Sequence, residues 1–171
     1  MNMLKKTCLI LTLIYFVSIA QAQKSAPANT INKITNAYLA VKNSLAANDA
    51  TAAARNAKEL FNALSSDPGK TLKPEQQKLL NGYLEKLKFD SRHISEVTML
   101  EHQREHFAGL SKNLYEVLKG LKMSTATIYE QYCPMKKAYW LSESETIKNP
   151  YYGKKMPECG RVAATLTPAT K

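Results

Sequence analysis

An all-α fold is the class this sequence predicts: an antiparallel four-helix bundle followed by an ordered, aromatic- and proline-rich C-terminal loop region. Two observations predict it. Apolar residues recur at spacings of three and four in four successive segments between Ile31 and Leu121, and short polar breaks separate them. No alternating strand pattern of useful length and no internal repeat is visible.

The chain opens with a basic pair, Lys5 and Lys6, then the apolar run CLILTLIYFVSIA and the small-x-small triplet Ala20-Gln21-Ala22. This is the layout of a secretory signal peptide over residues 1–22, cleaved near Ala22. The run is short for a span of about 20 residues, and Cys8, inside it, is expected to leave with the leader. No later segment is apolar enough to span a membrane. The expected location is periplasmic or otherwise exported, and 23–171 is expected to be one helical domain, long enough to bury a real core.

Ile31, Ile34, Tyr38, Val41 and Leu45 define the inner face of the first helix. Asn48 or Asp49 can cap the second, which carries Ala53, Ala57, Leu60, Phe61 and Leu64 inward and breaks at Ser65–Gly69. Pro74 suits the first turn of the third, with Leu79, Leu80, Tyr83, Leu84 and Leu87. Asp90 or Ser91 can cap a long fourth helix to about Leu121, through Ile94, Val97, Leu100, Phe107, Leu110, Leu114 and Val117. Beyond Ser124, short helical pieces are expected over Thr125–Gln131 and Ala138–Leu141, the rest being ordered loop. The tail after Val162 is expected to fray.

Without Lys5 and Lys6 the charge is 22 basic against 14 acidic residues, formally +8. The lysines are scattered among glutamates, which reads as a solvated surface, with anionic lipid or glycan as the partner class in an exported chain and no nucleic acid.

The stretch from Tyr132 to Gly160 departs from this pattern. It gathers three prolines, four tyrosines, the only tryptophan, two methionines and Cys133 and Cys159. "YCPM" places Cys133 two residues from Met135, and "KMPECG" places Met156 three from Cys159. A thiolate paired with a thioether suits Cu(I) rather than Ca(II) or Mg(II), and zinc has little use for methionine. Three other readings stand beside a metal site. Cys133 and Cys159 can form a disulfide, closing a loop of about 26 residues for roughly 3.5 kcal/mol. Met135 and Met156 can be ordinary core gap-fillers. The cysteines can be unrelated buried thiols.

All three histidines fall in the predicted fourth helix. His106 and Met99 share a stripe at the edge of its buried face, about 10 Å apart along the axis. His102 and His106 are an i, i+4 pair able to share an ion. No Ser-His-Asp arrangement, Gly-rich phosphate loop or sequence-adjacent Cys-His pair is present, so an enzyme is not expected.

The segments EHQREHFAGLSKNLYEVLK and IYEQYCPMKKAYWLSESETIKNPYYGKKMPECGRV resemble a family of exported bacterial domains, mostly from Bacteroidetes, known as domain of unknown function 3347. The joint pattern C-P-M, W-L-S, N-P-Y-Y-G and M-x-x-C-G carries the resemblance. Members occur alone or fused to periplasmic adaptor subunits of heavy-metal efflux pumps. The resemblance therefore implies copper or related soft-metal binding, buffering or transfer outside the cytoplasm, with an efflux adaptor or metallochaperone as partner. It implies Cys133, Met135, Met156 and Cys159 as metal ligands and adds His106 from the Q-R-x-H-F segment. Many relatives have histidine where this chain has Tyr132. On this reading Pro150 and Gly153 fix a turn, Trp140, Tyr151 and Tyr152 pack the loops, and Lys136, Lys137, Lys154 and Lys155 favour the thiolates. The alternative is a docking module stapled by Cys133–Cys159, without metal.

Overall fold

The structure is a computed structural model that describes residues 27–168. The expected leader, 1–22 with Cys8, lies outside the described residues. Four helices come first: α1 over 27–46, α2 Ala50–Ser65, α3 Pro74–Glu96 and α4 Leu100–Leu121. Three strands follow, β1 Ile128–Cys133, β2 Ala138–Ser142 and β3 Arg161–Leu166. They form one antiparallel sheet in the order β2-β1-β3.

The second and third helices begin where their local chemistry predicts. Asp49 caps α2 by accepting the Ala52 N–H at 2.8 Å, and Pro74 opens α3. Ile31, Ile34, Tyr38, Val41 and Leu45 are all buried, as are Ala53, Ala57, Leu60 and Leu64. The expected boundary between the third and fourth helices is corrected. Asp90 and Ser91 are no caps but buried interior residues of α3, which continues to Glu96. The real break is at Val97–Met99. There the buried Gln103 side chain donates to the carbonyls of Ile94, Val97 and Ala50, tying the end of α3 to the start of α2.

The expected all-α class is corrected as well. The protein is mostly helical with a small C-terminal sheet, and the segments expected as short helices are β1 and β2. The alternation that marks a half-buried strand is missing for physical reasons. β1 carries a bulge between Glu130 and Gln131, which shifts its facing. The polar Gln131 occupies a core position, its amide nitrogen donating to the carbonyls of Ser144 and Glu145. β2 ends in three consecutive buried residues. The expected frayed tail is β3, through Leu166.

An aromatic seam joins sheet and loops to the helices. The Tyr38 ring stacks on Phe107 at 5.2 Å, Phe107 meets Tyr151 at 5.8 Å, and Tyr151 meets Trp140 edge-on at 6.1 Å. The Tyr38 hydroxyl accepts the Leu141 N–H and bonds the Ser111 hydroxyl, so one side chain links α1, α4 and β2. Burial pushes its pKa well above that of a free tyrosine.

Two buried cations add polar ties. Arg104 donates to the Pro150 carbonyl at 2.8 Å, the Leu45 carbonyl at 3.2 Å and Asn48 Oδ1 at 2.7 Å, so it pins the 150s loop to the α1–α2 turn. Gly153 lies against this contact with φ +52, and a Cβ there would overlap the Asn48 side chain. Lys42, almost without exposure, meets Glu143 at 2.8 Å across α1 and the segment after β2. Burial raises the Glu143 pKa, but the hydrogen bonds from Lys42 and Asn43 outweigh it and leave it below the ordinary value.

Two outcomes follow. Gly153→Ala is expected to destabilise the fold by at least ~2 kcal/mol, through left-handed backbone strain and the lost Asn48–Arg104 fit, measured by urea denaturation. Glu143→Gln is expected to cost about 1–2 kcal/mol, because it leaves the Lys42 charge poorly paired, moderated by solvent at the half-exposed Glu143. A depressed carboxylate contributes stability above its unfolded pKa and loses it as pH falls through its folded one. The gap between wild type and Glu143→Gln should therefore persist near pH ~5 and close below the ordinary carboxylate value of ~4.3, in urea midpoints taken across that range.

Candidate metal centres

The sheet decides how the sulfurs meet. β1 ends at Cys133, and its pairing with β3 sets Tyr132 opposite Arg161. Gly160 and Cys159 precede Arg161, so the chain entering β3 passes directly beside Cys133. Gly160 permits the approach: a Cβ there would lie 2.7 Å from the Trp140 ring and 3.1 Å from the Tyr132 carbonyl. Cys133 and Cys159 are both free thiols, near enough for the Cys133 sulfur to act on the Cys159 thiol. Cys133 is fully buried and Cys159 partly exposed.

Two N–H donors meet the Cys133 sulfur. The turn joining β1 to β2 is Pro134-Met135-Lys136-Lys137, with Lys137 at φ 54. The Lys136 N–H points at Cys133 Sγ, 3.4 Å away, and the Met135 backbone favours the Cys159 thiolate. The Asn149 amide adds a second donor to Cys133 Sγ at 3.2 Å and also donates to the Cys159 carbonyl at 2.6 Å. Its Oδ1 accepts from the N–H groups of Tyr151 and Tyr152. Donors aimed at sulfur favour its anionic form.

Against them, burial raises the Cys159 thiol above its ordinary value, and the neighbouring Cys133 sulfur raises it further. The expectation that flanking lysines ease Cys159 into the thiolate is thus corrected. Lys136, Lys137, Lys154 and Lys155 are all exposed, and burial and the second sulfur prevail.

Met135 and Met156 do not serve as core gap-fillers. Met135 is 60% exposed and Met156 37% exposed. Met156 sits at the end of a 3₁₀ turn, Gly153–Lys155, and its carbonyl accepts the Cys159 N–H at 3.3 Å. Trp140 and Tyr151 are buried and pack the loops, as expected.

His106 is brought to other partners. Its Nδ1 lies 3.0 Å from Asp90 Oδ1 on α3, and its ring lies 4.6 Å from that of His93 and 4.9 Å from that of His102. Among the described residues, His93, His102 and His106 form the group of three metal-competent side chains, each offering a ligand atom within 4.8 Å of the others. His106 does not converge with Cys133 and Cys159. Met99, on the same predicted stripe, is 69% exposed.

The sequence reading missed His93 as a neighbour because one continuous fourth helix set it far from His106. The signal of a break was present: β-branched Val97-Thr98, then Thr98-Met99-Leu100-Glu101, the S/T-x-x-E pattern of a helix start.

A match to a family model covers residues 34–126, which takes in most of the helical part, including all three histidines, and stops before Cys133. No curated protein and no solved structure matches the chain. The match spans more than half of the sequence, and by it the chain belongs to the family described as Protein of unknown function (DUF3347).

Proposed function

We propose that this protein binds a soft metal ion, Cu(I) above others, at Cys133 and Cys159, and that it buffers or hands over copper as an exported, periplasmic domain. One observation carries the reading: two free, neighbouring thiols, with N–H donors on the Cys133 sulfur, beside methionines left in solvent on the same two loops. Cys133 and Cys159 supply thiolates, and Met135 and Met156 are the thioethers that can close over the ion from the open side. Two thiolates and Cu(I) leave a local charge of about −1, which the exposed lysines around both turns offset. His106 stands apart from this set. The exposed methionines also make the site reachable by a partner, an efflux adaptor or a metallochaperone, that would exchange the ion.

The raised Cys159 thiol gives the reading a pH signature. A protonated thiol must lose its proton to bind, so uptake releases protons and affinity rises with pH until Cys159 is ionised in the empty protein. The nearness of the two thiols favours a second reading, a Cys133–Cys159 disulfide stapling a docking module, which a thiol count before and after reduction separates from the first.

The test is an anaerobic Cu(I) titration of the reduced protein against a chromophoric chelator. Stoichiometric binding is expected, strengthening with pH and abolished in the Cys133→Ser/Cys159→Ser protein. Met135→Leu and Met156→Leu should each weaken binding several-fold while leaving the metal-free thermal midpoint unchanged. Absence of binding to the folded, fully reduced protein overturns the proposal.

A further inference from the structure

The histidine group offers different chemistry in a different place. His102 and His106 are one turn apart on α4, so they share a face. The break at Val97–Met99 lays α4 back along α3, which sets His93, from the last turn of α3, against them. Asp90 lies one turn before His93 on α3 and is 9% exposed. Its carboxylate fits only because residue 109 is glycine: a Cβ there would lie 2.7 Å from Asp90 Oδ2.

The arrangement around His106 is that of a metal-ligating imidazole. The Asp90 carboxylate accepts from Nδ1–H, which fixes the tautomer and leaves Nε2 as the lone-pair donor. Phe89 walls one side, its ring 4.3 Å from that of His93 and 5.7 Å from that of His106. His102 is the open member, with its side chain 43% exposed and Nδ1 3.7 Å from Glu105. An ion therefore has an entry path over His102. A tetrahedral ion with bonds of about 2.0–2.1 Å holds its donor atoms about 3.3 Å apart. One nitrogen of each ring already lies within 4.8 Å of one in each of the others, and closing to that spacing takes side-chain rotation without backbone change.

We infer that His93, His102 and His106 form a second metal site, for a borderline divalent ion of the Zn(II) or Cu(II) kind, with Asp90 positioning His106 through its Nδ1–H. Three imidazole nitrogens suit such ions and neither Ca(II) nor Mg(II), which need oxygen ligands. Three protein ligands leave a fourth position for water or an exchanging ligand. The site shares no residue with the thiol pair and does not depend on that pair binding copper.

The test uses tag-free Cys133→Ser/Cys159→Ser protein beginning at Gln23, without Cys8, so that zinc has no thiols to occupy, titrated with Zn(II) against a chromophoric chelator. One equivalent is expected to bind. His93→Ala and His102→Ala should each weaken it at least ~100-fold, and Asp90→Asn ~10–100-fold, with far-UV circular dichroism unchanged. Substituted Co(II) should show the d–d bands of a nitrogen-rich tetrahedral site without a sulfur charge-transfer band. His102→Ala is the decisive variant, because its exposed side chain can be removed without unfolding the helix. No Zn(II) uptake by the folded protein, or uptake indifferent to His93→Ala and His102→Ala, overturns the inference and leaves the rings as packing between α3 and α4.

Discussion

The side-chain amide of Asn149 is the contact on which the C-terminal half of the protein is hung. It is fully buried, and both of its ends are used: the nitrogen on Cys133 Sγ and the Cys159 carbonyl, the oxygen on the N–H groups of Tyr151 and Tyr152. Its own backbone joins in, with the N–H donating to the Pro157 carbonyl and the carbonyl accepting from Gly153. A buried amide with a partner missing would be costly, whereas one with every partner present holds a unique geometry. The loop between β2 and β3 has no regular ladder of its own. Asn149 supplies it with bonds that a strand or helix would otherwise provide, and in doing so sets one sulfur-bearing turn against the other.

Around that centre, charged and polar residues act as joints between elements. Arg104 connects the loop to the α1–α2 turn, Lys42 connects α1 to the segment after β2, and Gln103 connects α2, α3 and α4. Each is buried, and the Arg104 and Lys42 cations and the Gln103 amide nitrogen all donate to partners, as desolvation requires. This gives the Q-R of the Q-R-x-H-F segment a structural role. Gln103 and Arg104 hold helix junctions and loop, while His106, two residues on, turns to α3 and Asp90.

The two proposed centres differ in donor hardness. The thiol pair grows from the way β3 runs back past the end of β1, and the histidine group from the way α4 folds back on α3. A sulfur pair and an imidazole trio select different ions or different oxidation states of one metal. The two can therefore coexist in a small domain, each favouring a different ion.

The helices were legible in the sequence because their determinants are local. The period of Ile31 to Leu45, the Asp49 cap and Pro74 act within one or two turns of chain, and residues at those positions are buried as their spacing requires. The gathering of Cys133, Met135, Met156 and Cys159 into two short units was also written there, as was the clustering of prolines and aromatics. The strands were not, because a bulge, a buried Gln131 and an Ala-rich, exposed β3 erase the alternation that marks a sheet, and strand pairing is a contact between distant segments. Tertiary structure alone decided which side chains meet. Cys133 reaches Cys159 through the pairing of β1 with β3, and His93 reaches His106 through a helix break three residues long. Sequence spacing constrains neighbours within a helical turn. Across a turn or a sheet, the meeting of two side chains depends on where the backbone reverses, and that is settled by packing of the whole core.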